Sequence, residues 1–248
     1  MSDVKYKERI VAYLDILGFS SLVRKSTNDN EILKKIHKSL SHFAEEKRNI
    51  NNNSNRFGDV ICQYSTLSDC IVISYAFHKN SGAFFTILTD IYFLIAELSY
   101  LKIILRGGIC IGKLYHDEEN VFGPALVNAV DLEEKAAHFP RVIITDDDYR
   151  RGMAEGYLYS EEDEKEYINY RLKRDVDGFW YINFFEQKSE FDWSSDFTDY
   201  LENWRAIIVQ GLEENKDNIH VYSKYCWLAS KFNSAIKHQG ESIKKIVF

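Results

Sequence analysis

Proline is nearly missing from this chain, with two among 248 residues. No low-complexity tract accompanies them, so there is little room for an extended linker, and an ordered chain is expected nearly throughout. Long apolar runs are missing as well. No stretch approaches about 18 uninterrupted apolar residues and the N-terminus carries no apolar signal core, so no membrane span is expected and a cytoplasmic protein is. Basic residues are not in surplus. A formal net charge of −7 argues against a sequence-independent grip on duplex nucleic acid. Cysteines at metal-ligand or redox spacing are lacking too. Cys62, Cys70, Cys110 and Cys226 show no CxxC pattern, and three of them fall in apolar strand-like runs, where cysteine behaves as a small hydrophobe. We read all four as reduced and structural.

What is present is a chain long enough for a compact domain with a C-terminal appendage. Strand and helix signals alternate over the first 145 or so residues. Ile10 to Leu17 reads as a buried strand, and Asn30 to Arg48 as an amphipathic helix with Ile32, Leu33, Ile36, Leu40 and Phe43 at helical spacing, ended by the polar run Asn49 to Asn55. Val60 to Tyr64 and Ile71 to Tyr75 read as strands, and Ser81 to Tyr100 as an evenly apolar helix. Ile103 to Gly112 is a strand interrupted by glycines where backbone approaches something closely. A short strand at Leu114 to His116, a helix from Pro124 to Ala137 and a strand from Arg141 to Thr145 follow. The order β-α-β-β-α-β predicts an α+β, ferredoxin-like sheet with helices on one face.

Beyond Asp146 the sequence becomes acidic and aromatic. Ser160 to Glu166 reads as a solvated charge run, Tyr167 to Leu172 and Phe179 to Phe185 as a β-hairpin, and Phe197 to Leu212 and Asn218 to Lys237 as two helices. Trp204, Ile207, Ile208, Tyr225, Trp227, Leu228 and Phe232 are expected to face inward as core and dimer-packing residues. The chain thus divides at about residue 150 into a core, 1–150, and a C-terminal hairpin with helices, 151–248.

Two aspartates stand out. Asp15 closes the apolar run from Ile10 and opens the turn Ile16-Leu17-Gly18-Phe19-Ser20, while Asp69 lies between two strand-like runs in Leu67-Ser68-Asp69-Cys70. Strand ends from separate parts of the chain can bring two carboxylates to one sheet edge, as a hard divalent cation on a triphosphate requires. For Asp15 alone the alternative is a turn or helix N-cap.

The turn Asp15 to Ser20 resembles the first metal-binding turn of class III nucleotidyl cyclases, and Ser68-Asp69 their second metal aspartate. Arg106 to Gly112 looks like their Arg-x-Gly-Ile-His-x-Gly strand, and Phe122-Gly123-Pro124 through Ala129, Leu132 and Glu133 their Trp-Gly-Asp helix. The resemblance runs in order from Ile10 to Thr145. The phrases Asp-Ile-Leu-Gly-Phe, Leu-Ser-Asp, Arg-Gly-Gly-Ile and Phe-Gly-Pro-Ala, with Lys224 to Ala229 and Asn233, look most like the pyrimidine cyclases of Pycsar antiphage defence.

That resemblance implies a class III cyclase fold with a C-terminal hairpin and helical extension. It implies conversion of UTP or CTP to the 3′,5′-cyclic monophosphate by a homodimer using two divalent cations, Mn2+ or Mg2+, the product acting on an effector. Asp15 and Asp69 would bridge the metals with the carbonyl of Ile16. Amides of Leu17, Gly18, Phe19 and Ser20 would hold the triphosphate at a helix N-terminus, and Arg106 would reach it, the alternative for Arg106 being a salt bridge. Ser65 and Asn120 stand where purine-specific members carry a lysine and an aspartate, so they would meet a pyrimidine edge, though two neutral groups that donate and accept do not by themselves separate uracil from cytosine. Tyr64 packs either under the base or as an ordinary strand aromatic.

The family's transition-state asparagine and arginine fall on Val127 and Asp131, or on Asn128 and Leu132 after a one-residue slip. Lys113, Lys135 and Arg141 are the candidate replacements. His116, following a strand, reads as a solvated loop histidine or as a proton acceptor. A purine cyclase and a nucleotide-binding regulatory module without turnover are the rival readings.

Overall fold

The computed structural model describes residues 4–52, 62–155, 157–158, 160–239 and 243–248. The chain opens with strand β1 (Lys7–Ile16) and helices α1 (Phe19–Ser26) and α2 (Asn30–Asn52), followed by β2 (Cys62–Leu67), β3 (Cys70–Ala76), α3 (Ala83–Tyr100) and β4 (Leu105–His116). These four strands lie in the order β2-β3-β1-β4, and every neighbouring pair is antiparallel. This is the ferredoxin-like arrangement expected from the βαββαβ order.

The sheet then extends. A two-residue strand β5 (Val121–Phe122) pairs with the end of β4, and helix α4 (Pro124–Lys135) leads to β6 (Val142–Ile144), which runs parallel to β4. Helices α5 (Asp146–Glu155) and α6 (Glu161–Arg171) precede the hairpin β7 (Leu172–Arg174) and β8 (Trp180–Ile182), and β8 pairs with β6. Helices α7 (Ser194–Glu214) and α8 (Ile219–Gln239) complete the fold.

Strand alternation divides the residues of β1 between two faces. Ile10, Ala12, Leu14 and Ile16 pack into the main core with Phe84, Ile87, Leu88 and Ile91 of α3, whereas Val11 joins Val72, Cys110, Ala125 and Ala129 in a smaller cluster beneath α4. Helix α3 is long and apolar enough to cross a membrane by length and composition, yet ten of its residues are buried in this core. The second face, beyond the footprint of α4, carries the polar side chains.

Several segments depart from expectation. Helix α2 runs on to Asn52 through residues expected to form a loop, and the N-terminal part of the next expected strand, Val60 and Ile61, lies outside the described residues. Its start is fixed by Asp29, whose carboxylate accepts from the backbone N–H groups of Glu31 (2.9 Å) and Ile32 (3.2 Å). Strand β4 passes unbroken through Gly107 and Gly108 to His116. The close approach there is real: a Cβ on Gly108 would lie 2.5 Å from the Ala129 carbonyl and 2.9 Å from Leu132 Cβ, so glycine lets α4 sit directly on the strand.

Residues 167–171 are helical rather than extended. Ser160 caps α6 by accepting from the Asp163 N–H (3.3 Å), four acidic residues fill the first turn, and Glu164, Ile168 and Arg171 form a buried stripe at helical spacing. Of the aromatic residues of α7 and α8, Trp204 and Phe232 are fully buried together with Phe184 and Phe185, whereas Tyr222, Tyr225 and Trp227 are half-buried. Tyr6, Phe122 and Val127 are exposed apolar residues, beside β1, on β5 and on α4 respectively.

Candidate active site

Asp15 is the last outward-facing residue of β1, paired with Cys70 of β3 on one side and Arg106 of β4 on the other. Asp69 arrives from the two-residue turn between β2 and β3, where Ser68 takes a positive φ of 59°. A non-glycine residue there is uncommon and costs about 1 kcal/mol or more. Through this turn a carboxylate of Asp15, one of Asp69 and the Cys70 sulfur come within 4.8 Å of one another.

The donor set suits a hard cation. Two carboxylates at a strand end, with backbone carbonyls nearby, are the oxygen ligands that Mg2+ and Mn2+ prefer. Cys70 is a poor ligand for such ions. Its thiol points at Asp15 Oδ1 (3.8 Å) and Asp69 Oδ1 (3.9 Å), and burial, opposed by the hydrogen bond from Tyr13 and assisted by the two carboxylates, pushes it up to about 11. Ile16 buries its side chain in the core, so only its backbone is available to a ligand.

Arg106 neutralises the acidic cluster. Its Nε lies 3.1 Å from Asp15 Oδ2 and its Nη2 lies 2.6 Å from Glu133 Oε1 on α4. Burial raises the Asp15 carboxyl above its ordinary value against the pull of Arg106, with Asp69 adding to the rise. Glu133 is raised in the same way, by burial first. The salt bridge weighed for Arg106 is thus present, to Asp15 and to Glu133.

The turn after Asp15 divides its amides. Leu17 N–H donates to the Ile104 carbonyl at 2.9 Å, which removes it from the expected phosphate contacts. Gly18 takes φ 74° as the N-cap of α1, makes no side-chain cap, and has nothing within 4 Å of where a Cβ would stand. The N–H groups of Phe19 and Ser20 begin the helix and have no acceptor within it. Beside the turn lies a cavity of about 350 Å³ whose wall includes Gly18, Lys25, Lys35, Lys102, Lys224 and Glu214. The ammonium of Lys35 is depressed by burial and then by Lys102, with Glu214 opposing, and in this wall four lysines face the one carboxylate of Glu214.

Lys224 was not among the residues singled out for chemistry. It stands on α8 at the rim of this cavity, and its pKa is lowered by burial and by Arg106 while Asp15 and Glu133 raise it. The three cations expected to serve are committed elsewhere or placed differently: Arg141 is buried against Asp175 and Asp177, Lys135 pairs with Asp131 at 2.8 Å on the surface of α4, and Lys113 is exposed. Val127 and Asn128 are exposed on the outer side of α4.

Tyr64 corrects another expectation. It pairs with Ile73, and its ring is buried in the main core, on the opposite face from Asp15 and Ser65. Ser65 instead pairs with Val72, which pairs with Tyr13. Its hydroxyl lies 2.9 Å from His116 Nε2, and His116 Nδ1 lies 2.8 Å from Ser74 Oγ. His116 is thus the bonded end of β4 rather than a solvated loop residue. Asn120 sits in the exposed turn that follows, its N–H donating to Asp117 at 2.7 Å. Two groups result on one face: Asp15, Asp69, Arg106 and Glu133 at one end, Ser65 and His116 towards the other.

No family model matches the chain, and no curated protein matches it. Among solved structures, the catalytic core of a rhodopsin-guanylyl cyclase with converted specificity, in complex with ATPalphaS, is similar with a TM-score of 0.43 and 12% identity over 73% of this chain and 98% of that one. A class III adenylyl cyclase-like ATP-binding protein from Pseudomonas aeruginosa has a TM-score of 0.40 and 10% identity over 66% of this chain and 40% of that one. Both likenesses are distant, and neither assigns a substrate or an activity to this chain.

Proposed function

We propose that the chain is a metal-dependent nucleotide cyclase that converts a pyrimidine nucleoside triphosphate, UTP or CTP, to its 3′,5′-cyclic monophosphate and pyrophosphate. The observation that carries the proposal is the convergence of Asp15 and Asp69 beside the uncapped start of α1, on the sheet face that α4 leaves open. Two divalent cations held by these carboxylates and the Ile16 carbonyl would acidify the ribose 3′-hydroxyl and neutralise phosphate charge.

The chain's own residues do the rest. The amides of Gly18, Phe19 and Ser20 bind the triphosphate, since helix N-termini favour anions, and the lysines of the adjoining cavity draw its β and γ ends. Asp15 and Asp69 would hold the cations, and Arg106, now paired with Asp15 and Glu133, would be the guanidinium that meets the phosphate oxygens. The 3′-hydroxyl gives its proton to solvent and its oxygen attacks the α-phosphorus as the bond to pyrophosphate breaks, and Lys224 offsets the charge that grows on the α-phosphate, the task left open by Val127 and Asp131. Ser65 and Asn120 face the base.

A homodimer fits this division of the site into two ends, each copy lending its metal end to the other's base end. The exposed Tyr6, Phe122 and Val127 are the apolar residues suited to that contact. The motif phrases shared with Pycsar cyclases support a role in antiphage defence, with the cyclic product switching on a separate effector.

The test is incubation of the purified protein with all four ribonucleoside triphosphates under Mn2+ or Mg2+, with products resolved by mass and Asp69→Ala in parallel. A cyclic pyrimidine product that disappears in the variant is expected. A folded protein that binds nucleotide but yields no cyclic product under either metal overturns the enzyme in favour of a regulatory binding module.

A further inference from the structure

A chain of hydrogen bonds runs along the Asp15 face of the sheet from buried Arg9 to Ser65. Arg9 is 3% exposed; its Nε donates to Ser74 Oγ at 2.8 Å and its Nη2 donates to the Ser74 carbonyl at 2.7 Å. Ser74, fully buried, touches His116 Nδ1 at 2.8 Å, and His116 Nε2 touches Ser65 Oγ at 2.9 Å.

The direction of this chain follows from its first member. A guanidinium only donates, so one lone pair of Ser74 Oγ is taken. If His116 Nδ1 carried a proton, the second lone pair would be taken as well, and the Ser74 hydroxyl proton would be left without an acceptor among the described residues in a site with no water contact. Such an orphaned donor is costly. Ser74 therefore donates to Nδ1, and the imidazole is neutral with its proton on Nε2. That proton is donated to Ser65 Oγ. The hydroxyl proton of Ser65 is consequently left for an acceptor other than His116.

We propose that Arg9, Ser74 and His116 fix Ser65 as a hydrogen-bond donor to the bound base, so that the site selects a base presenting a carbonyl oxygen at that point, uracil over cytosine. The proposal rests on the reading of Ser65 as a base contact. Ser65 is the residue that touches substrate; the other three position it. Against the uracil O4 the hydroxyl proton is paired, whereas against the cytosine amino group it has no acceptor. One unpaired buried donor predicts about 10- to 100-fold weaker binding.

The first measurement is the 15N spectrum of histidine-labelled protein, with His116 assigned by its loss in His116→Asn. A neutral ring protonated at Nε2 is expected; protonation at Nδ1, or an imidazolium at pH 8, overturns the relay. The second is the binding of 3′-deoxy analogues of the four triphosphates with Mn2+, which lack the attacking hydroxyl, beside turnover of the natural nucleotides. Preference for the uridine analogue is expected, collapsing to within about threefold in Ser65→Ala and in Ser74→Ala. Should Ser74→Ala fail to fold, Ser65→Ala and the tautomer decide. Equal or tighter binding of the cytidine or adenosine analogue overturns the relay whether or not turnover occurs. Uridine preference without turnover upholds the relay and overturns the cyclase. Guanosine preference upholds a carbonyl-directed donor and overturns the pyrimidine reading, and failure of every analogue to bind overturns both.

Discussion

Arg106 and Glu133 form a 2.6 Å ion pair in which the carboxylate is almost wholly buried while the guanidinium keeps a quarter of its surface open. The two residues come from different layers, β4 and α4, so the pair ties the helix to the strand that carries the site. Its asymmetry makes the two truncations unequal. Arg106→Ala strands a buried carboxylate and is expected to cost about 3–5 kcal/mol, whereas Glu133→Ala leaves a partly solvated cation and costs about 1–3 kcal/mol. Urea denaturation of both variants and of the double variant checks this, with the double variant expected to be more stable than Arg106→Ala alone.

Two glycines predict different kinds of damage. Gly108→Ala drives a methyl group into the backbone of α4 and should destabilise by about 3 kcal/mol or more, the upper range for overpacking. Gly18→Ala meets open space and strains only the left-handed backbone, at about 1–2 kcal/mol. Thermal melts should rank them in that order, and Gly18→Ala should weaken nucleotide affinity beyond its effect on stability.

Lys224→Met is expected to lower kcat about 10- to 100-fold, with an unchanged melting temperature and a smaller effect on KM, because its charge is called on as the α-phosphate gains negative charge. Lys224→Arg should restore part of the rate. A drop in melting temperature with kcat intact would assign Lys224 a packing role instead.

Asp175 predicts a pH dependence. It lies against buried Arg141 and accepts from Lys231 Nζ at 2.7 Å and Trp227 Nε1 at 3.0 Å. Burial alone would raise its carboxyl, but Lys231, the Val176 N–H, Trp227 and Arg141 outweigh this and bring it below 3.8. A carboxyl depressed on folding stabilises the protein above its unfolded pKa, and the contribution disappears as pH falls through the folded value. Asp175→Asn should therefore cost about 3 kcal/mol or more near pH 7, and the gap to the parent should narrow below about pH 4. Urea melts at pH 7 and pH 3 measure both.

The metal end of the site was legible because each aspartate interrupts an apolar run, and alternation in β1 dictates that Asp15 shares its face with Val11 and Tyr13. Parity could also have placed Tyr64 in the core, since it is one residue removed from Ser65. The relay was not legible: Arg9 meets Ser74 across 65 residues and His116 meets Ser65 across 51, and no local pattern encodes such pairings. Helix α6 was missed because Tyr167, Ile168 and Tyr170 have the composition of a strand, while the signal that decides, the Ser160 cap with its acidic first turn, lies before them. Lys224 was hidden because α8 reaches the site only through the packing of the C-terminal helices.

Strand β1 is made first yet lies between β3 and β4, pairing at its far end with residues as distant as Leu114. Its edge towards β4 stays open while the next hundred or so residues are synthesised, some 5 to 20 seconds at ordinary elongation rates, although β3 can cover the other edge sooner. Folding of this domain is governed by long-range closure and should be slow for its size. The carboxylate at the end of β1 gains Arg106 only when the edge towards β4 closes, so the site forms as a product of long-range sheet pairing and not as a local loop awaiting support.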